Sequence, residues 1–377
     1  MSDQPFPAAR DRPLFTPGPL TTSRSVKQAM LQDVGSRDAA FIECVRRVRD
    51  GILAVAGVSK NQGYEAVLMQ GSGTFGLESV VASTLPRDGK LLVVVNGAYG
   101  RRIAEIARVL GVDTDVLACP EDTAPSAIDV DRRLNEDPKV THVAVVHCET
   151  TTGIINPVEE IGKVVEKHRR TYFVDSMSAF GAVPIDLPAC GVDYLVSSAN
   201  KCVEGVPGFS FVICRRETLL SIEGWARSLS LDLLGQWKSL EANGQFRFTP
   251  PTHAILAFEQ ALRELEEEGG VAGREQRYRR LRDSLVEGMR RMGFEEYLPP
   301  ERQSHILTSF LYPEHPRFDF EDFYRRLGDK GYVIYPGKVS NARCFRIGTI
   351  GRIFESDVRA LLAGIRETLD DMGVLLG

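Results

Sequence analysis

The sequence predicts an α/β fold, a mostly parallel sheet sandwiched by helices, followed by a smaller C-terminal α+β piece. Two observations predict the first part. Between about residues 25 and 215, short runs rich in Val, Ile and Leu alternate with amphipathic helical stretches. The runs are nearly continuously apolar, as in parallel strands covered on both faces. A third observation predicts the second part. Residues 264–268 form a charged helix end, and Gly269-Gly270 breaks the pattern there.

The elements follow in chain order. Residues 1–23 are rich in Pro, Thr and Ser and predict an extended arm lying on the fold. Strands are predicted at 67–70, 91–95, 143–147, 171–174, 194–197 and 209–214. Helical patterns at 76–84, 99–110 and 158–168 lie between them. A basic amphipathic helix at 274–292 is predicted to be a solvated face. Strands at 306–312, 332–335 and 344–347 and a helix at about 355–373 complete the chain. The domains read as an arm over 1–24, a large domain over 25–260 and a small one over 261–377.

Composition narrows the function. The 377 residues carry 46 basic and 51 acidic side chains, a net charge of −5. That balance argues against a generally basic nucleic-acid binder. No apolar run reaches the roughly 18 residues of a membrane span, and no secretory signal is visible at the N-terminus. Seven scattered cysteines and six histidines form no zinc spacing. The expectation is a cytoplasmic protein with free thiols and no metal.

Ligands of open α/β sheets collect beyond the carboxyl ends of the strands, so the residues after each strand matter most. After 67–70 comes Gly71-Ser72-Gly73-Thr74-Phe75-Gly76, opening a helix. Small residues there let N–H groups approach a phosphate, and Thr74 adds a hydroxyl. The same letters fit the dinucleotide fingerprint. That fingerprint expects an acidic residue about 20 positions on, where Asn96-Gly97 stands instead. A nicotinamide oxidoreductase is therefore disfavoured.

After 171–174 comes Asp175, and Lys201 follows it by 26 residues, one strand–helix–strand unit later. Alone, the first reads as a turn cap and the second as a surface lysine. Together they emerge at the same sheet edge, a carboxylate for a protonated ring nitrogen and an amine for a Schiff base. After 143–147, Thr150-Thr151-Thr152 could satisfy a turn or offer hydroxyls to a cofactor ring. Tyr99, after 91–95, could stack on a planar ring or fill the core. Phosphate loop, aromatic, hydroxyls, carboxylate and lysine in this order are the equipment of pyridoxal 5'-phosphate binding.

These residues carry a resemblance. The chain resembles the class V, fold-type I aminotransferases nearly end to end. The matching stretches are FTPGPLTTS (15–23), QGSGTFGLE (70–78), NGAYGRR (96–102), HCETTTGIINP (147–157), VDSMSAFGA (174–182), SSANKCVEGVPGF (197–209), SLSLDL (228–233), FRFTPPTH (246–253) and FRIGTIG (345–351). The family pattern has Gln where Glu204 stands, which adds a charge behind the lysine.

The resemblance implies a seven-stranded, mostly parallel sheet and a homodimer with shared sites. It implies that Lys201 holds the cofactor and moves the substrate proton, and that Asp175 partners the ring nitrogen. Ser72, Gly73, Thr74 and Ser198 would bind the phosphate, with Thr249 reaching it from the neighbouring subunit. Tyr99 would stack on the ring, and Thr151 or Thr152 would meet the ring hydroxyl. Arg346 would grip the substrate anion, with Arg37 a weaker second cation and the Gly18 backbone a further donor. The implied reaction moves the amino group of 2-aminoethylphosphonate to pyruvate, giving phosphonoacetaldehyde and alanine in two half-reactions. An alanine- or serine–glyoxylate reaction of the same family shares these residues and stays open. A desulfurase is disfavoured, since no cysteine sits in a Gly/Ser-rich lid.

Overall fold

The computed structural model describes residues 12–376. The first eleven residues of the expected arm lie outside it. Among the described residues, twelve strands build three sheets. The main sheet comprises β1 (Tyr64–Gln70), β2 (Lys90–Val95), β3 (Asp113–Ala118), β4 (Val140–Val146), β7 (Thr171–Asp175), β8 (Tyr194–Ser198) and β9 (Phe209–Arg215). A two-stranded ribbon pairs β5 (Cys148–Glu149) with β6 (Ile154–Ile155), and β10 (Leu307–Leu311), β11 (Tyr335–Pro336) and β12 (Cys344–Gly348) form a small antiparallel sheet.

The main sheet runs in the order β1-β9-β8-β7-β4-β2-β3. Only β9 is antiparallel, pairing so with both β1 and β8. The remaining six strands therefore point the same way and end on one edge. That edge gathers Gly71, Asn96, His147, Asp175 and Ser198 from distant parts of the sequence.

The sheet forms because its strands have no polar face. In β2 and β4, Leu91, Val93, Val143 and Val145 are all wholly buried, with helices on both sides. Each such side chain contributes about 1.5–3 kcal/mol by leaving water. The helices Gly73–Thr84, Ala98–Val109 and Val158–Lys167 cover it near the positions expected from the sequence. The short ribbon β5–β6 was not predicted, and the strand of this sheet missed by sequence reading is β3, an edge strand with Asp and Thr alternating at its start. With a partner on one side only, it needs no continuous apolar run.

A second core, built on Phe294, Phe310, Phe323 and Phe345, lies under the small sheet. The predicted strand at 332–335 is shorter than expected, since only Tyr335–Pro336 pairs with β12. The arm enters this core. Phe15 is wholly buried, its N–H donates to Val333 O, and its carbonyl accepts from Gly348 N. The arm thus joins the small sheet before reaching the main sheet's edge.

Candidate active site

Lys201 follows β8, and its Nζ donates to the Pro17 carbonyl at 2.7 Å. Burial holds its pKa below the usual lysine value, with the charge of Lys338 acting the same way. The amine is thereby biased toward its neutral, nucleophilic form. On the neighbouring strand, Asp175 ends β7 and is buried. Its Oδ1 accepts the Met177 N–H at 2.9 Å. Burial, aided by the charge of Glu149, raises its pKa to about 7. A buried carboxylate in that state calls for a cationic partner.

The threonines of the 147–153 turn differ sharply. Thr151 Oγ1 accepts from Ala98 N at 2.8 Å and donates to Glu149 Oε1 at 2.6 Å. Thr152 Oγ1 is buried with no hydrogen-bond partner. Of the two, only Thr152 has a hydroxyl free for a ligand.

The predicted phosphate loop opens the helix Gly73–Thr84, with Ser72 at its N-cap and no side-chain cap bond. The unpaired N–H groups and the dipole of that turn suit an anion. Gly73 lets the turn pack against Met177, since a Cβ there would lie 2.5 Å from its Sδ and push that side chain aside. Ser198 is buried at the end of β8. Thr249 is exposed, and its carbonyl accepts from Gln70 Nε2 at 3.0 Å, beside the same loop. Exposed Phe75 and Phe248 flank this place, an apolar patch beside an anion cradle.

Tyr99 lies near Lys201, Thr150 and Arg346, whose influences hold its hydroxyl below the usual pKa despite burial. Arg346, on β12, is buried. Its Nε donates to Pro336 O at 2.9 Å and its Nη1 to Thr150 O at 2.8 Å. Those two carbonyls fix the guanidinium, and the Tyr99 hydroxyl stands within its hydrogen-bonding reach.

Two expected anion binders are placed differently. The Gly18 N–H turns to Thr16 Oγ1 at 3.3 Å, and the arm presents the Pro17 carbonyl to the site. Arg37 is exposed, and no contact among the described residues joins it to Arg346 or Lys201. Glu204, buried at φ +67°, gives its carboxylate to Arg277 at 2.7 Å and to the Tyr278 hydroxyl at 2.6 Å. Its charge closes on the long helix Gly270–Arg290.

Sequence reading missed Glu149 and Arg102. Glu149 is wholly buried and accepts Tyr99 N and Gly100 N at 3.2 Å, capping the helix Ala98–Val109. Its position just before the three threonines was the available signal. Arg102 lies 5.0 Å from the Tyr99 ring centroid and 3.4 Å from Thr74 Oγ1. The i,i+3 spacing from Tyr99 on one helix face points to it.

The class-V aminotransferase profile matches residues 23–341. The chain belongs to the class-V aminotransferase family. A Salmonella typhimurium protein named 2-aminoethylphosphonate–pyruvate transaminase is 50% identical over 363 residues, covering 96% of this chain and 98% of that one. Among solved structures, the alanine–glyoxylate aminotransferase from Nostoc sp. superposes with a TM-score of 0.90 at 24% identity, over 98% of each chain. The ureidoglycine–glyoxylate aminotransferase from Bacillus subtilis does so with a TM-score of 0.89 at 23% identity, over 99% of this chain and 96% of that one. These two likenesses establish the fold of this class-V aminotransferase: a mostly parallel sheet between helices, with a smaller C-terminal part. Among the described residues, no helix is long and apolar enough to cross a membrane.

Proposed function

We propose that this class-V aminotransferase moves the amino group of 2-aminoethylphosphonate to pyruvate, yielding phosphonoacetaldehyde and alanine, with pyridoxal 5'-phosphate as cofactor. The observation that carries the reading is the convergence of Lys201, Asp175 and Arg346 at one sheet edge. The half-identical, near full-length relative supports the substrate pair. The unpartnered Thr152 hydroxyl, the Asp175 carboxyl and the open helix terminus at Gly73 fit the cofactor's ring hydroxyl, ring nitrogen and phosphate.

When bound, pyridoxal phosphate supplies an electron sink for the bond broken at the carbon bearing nitrogen. The chain's residues do the rest. Asp175 provides a fixed negative charge that keeps a ring nitrogen protonated. Lys201, its pKa lowered by burial, takes the proton from the substrate carbon and returns it elsewhere. The N-terminal turn at Ser72, Gly73 and Thr74 holds the phosphate. Tyr99 orients the ring from one face. Arg346 grips the substrate anion in both half-reactions.

The enzyme works as a cytoplasmic homodimer in this reading. All seven cysteines are free thiols, as a reducing compartment requires. The exposed Phe75 and Phe248 beside the cradle give a second copy its contact, and Thr249 is then shared across it.

The test is spectral. 2-Aminoethylphosphonate, alanine, serine and glycine are each added to the cofactor-loaded protein without acceptor. Bleaching of the visible band by the phosphonate, and its return with pyruvate, is expected. Bleaching by serine or glycine alone would replace the substrate pair with a glyoxylate one.

A further inference from the structure

Arg346 brings one positive charge to the anion, and two of its N–H groups are already committed to Pro336 O and Thr150 O. A carboxylate, with one charge and two oxygens, is matched by what remains. A phosphonate resembles a phosphate ester, which carries about −1.5 to −2 at neutral pH and three acceptor oxygens. The site needs a second cation for it.

The strap between β11 and β12 supplies one. Lys338 Nζ stands 5.0 Å from the Tyr99 ring centroid, on the exposed rim of the site. No side-chain hydrogen bond or ion pair joins Lys338 to another described residue. Its backbone, in contrast, is tied down on both sides. Gly337 N donates to Cys344 O at 3.0 Å. Ser340 donates its N–H and hydroxyl to Glu121 Oε2 at 2.7 and 3.1 Å, and Tyr297 OH donates to Asn341 Oδ1 at 2.8 Å. Glu121 also binds Arg101, at 2.7 Å, on the helix that carries Tyr99. The strap is therefore fixed both to the small sheet and to the aromatic it overhangs.

We propose that Lys338 is the specificity cation of this site, adding the second positive charge that favours a phosphonate over a carboxylate. Arg346 then serves both half-reactions, and Lys338 serves the phosphonate end of the amino donor. The inference rests on the phosphonate reading above.

The experiment compares wild type, Lys338→Met and Lys338→Arg. Methylphosphonate and acetate, which lack the reacting amine, are titrated into each cofactor-loaded protein by calorimetry. Lys338→Met should weaken methylphosphonate about tenfold more than acetate, by loss of a charge-assisted contact. Lys338→Arg should restore most of the difference. In turnover, the loss should fall on KM for 2-aminoethylphosphonate more than on kcat. Equal weakening of both anions, or none, would overturn the assignment. Wild type is assayed first with 2-aminoethylphosphonate. If it is not converted, the substrate reading fails and this inference with it. If it is converted and Lys338→Met binds methylphosphonate normally, this inference alone fails.

Discussion

Gly18 faces the tip of Lys201 so closely that no side chain fits between them. A Cβ on Gly18 would lie 2.6 Å from Lys201 Nζ, and the residue sits at φ +117°. Gly18→Ala is therefore strained twice, in its backbone and against the amine. The flexible lysine would be the group to yield. Displacement of a reacting group by about 1 Å costs on the order of a hundredfold in rate. The expected outcome is that loss in kcat with the far-ultraviolet spectrum of the native fold. Near-normal turnover would show that Lys201 needs no such neighbour.

Asp175 makes the cofactor-free protein sensitive to pH. Its folded pKa of about 7 stands above the ordinary 3.8. Its proton-bound form is thus favoured by folding, and that stability is present at low pH. It is lost as pH rises from about 4 through 7. The shift corresponds to roughly 4 kcal/mol across the window. Glu149 raises the value while Arg102 and Lys201 lower it. Asp175→Asn removes the dependence, so Tm of the apo variant should gain on wild type as pH rises. Parallel curves would contradict a perturbed Asp175. The variant should also have very low transaminase activity.

The two neighbouring threonines separate stability from cofactor binding. Thr152→Val removes a hydroxyl with no partner. It should leave urea unfolding of the apo protein unchanged or slightly improved, while weakening pyridoxal phosphate about tenfold. Thr151→Val breaks the bonds to Glu149 and Ala98. It should cost about 1–3 kcal/mol in the apo protein. Identical profiles for the two variants would show that the site does not distinguish them.

Glu204 ties the loop after Lys201 to the helix Gly270–Arg290, where Arg274 also donates to Cys202 O. Glu204→Ala takes the acceptor from the Arg277 and Tyr278 donors, and a buried donor left unsatisfied costs about 1–3 kcal/mol. Glu204→Gln should cost much less. The Oε2 atom has no partner to lose, and Arg277 keeps Glu268 at 2.6 Å. Chemical denaturation of the three proteins measures the difference. Equal losses for Ala and Gln would place the effect on the charge alone.

The main sheet was legible because buried parallel strands leave long apolar runs. Its edge strand β3 was not, since Asp113, Thr114 and Asp115 carry no such run. Asp175 and Lys201 were legible as a pair because topology brings strand ends together whatever lies between them. The division of labour between Thr151 and Thr152 was not. Their side chains are chemically the same, and only the Ala98 N–H and Glu149 carboxylate tell them apart. Lys338 escaped notice for a related reason. It stands in a loop without periodicity, and its neighbour Tyr99 is 239 positions away. Arg37 is exposed, and contacts within one chain do not assign it a role.

The apolar patch at Phe75 and Phe248 has a thermodynamic consequence. In the proposed dimer, where the partner's chain would complete the phosphate cradle, cofactor and second subunit would be mutual effectors. Whatever factor dimerisation adds to cofactor affinity, the cofactor must add to dimerisation, because the cycle closes. Dilution should then strip cofactor from the enzyme, and excess cofactor should hold dimers together at concentrations where the apo chains part.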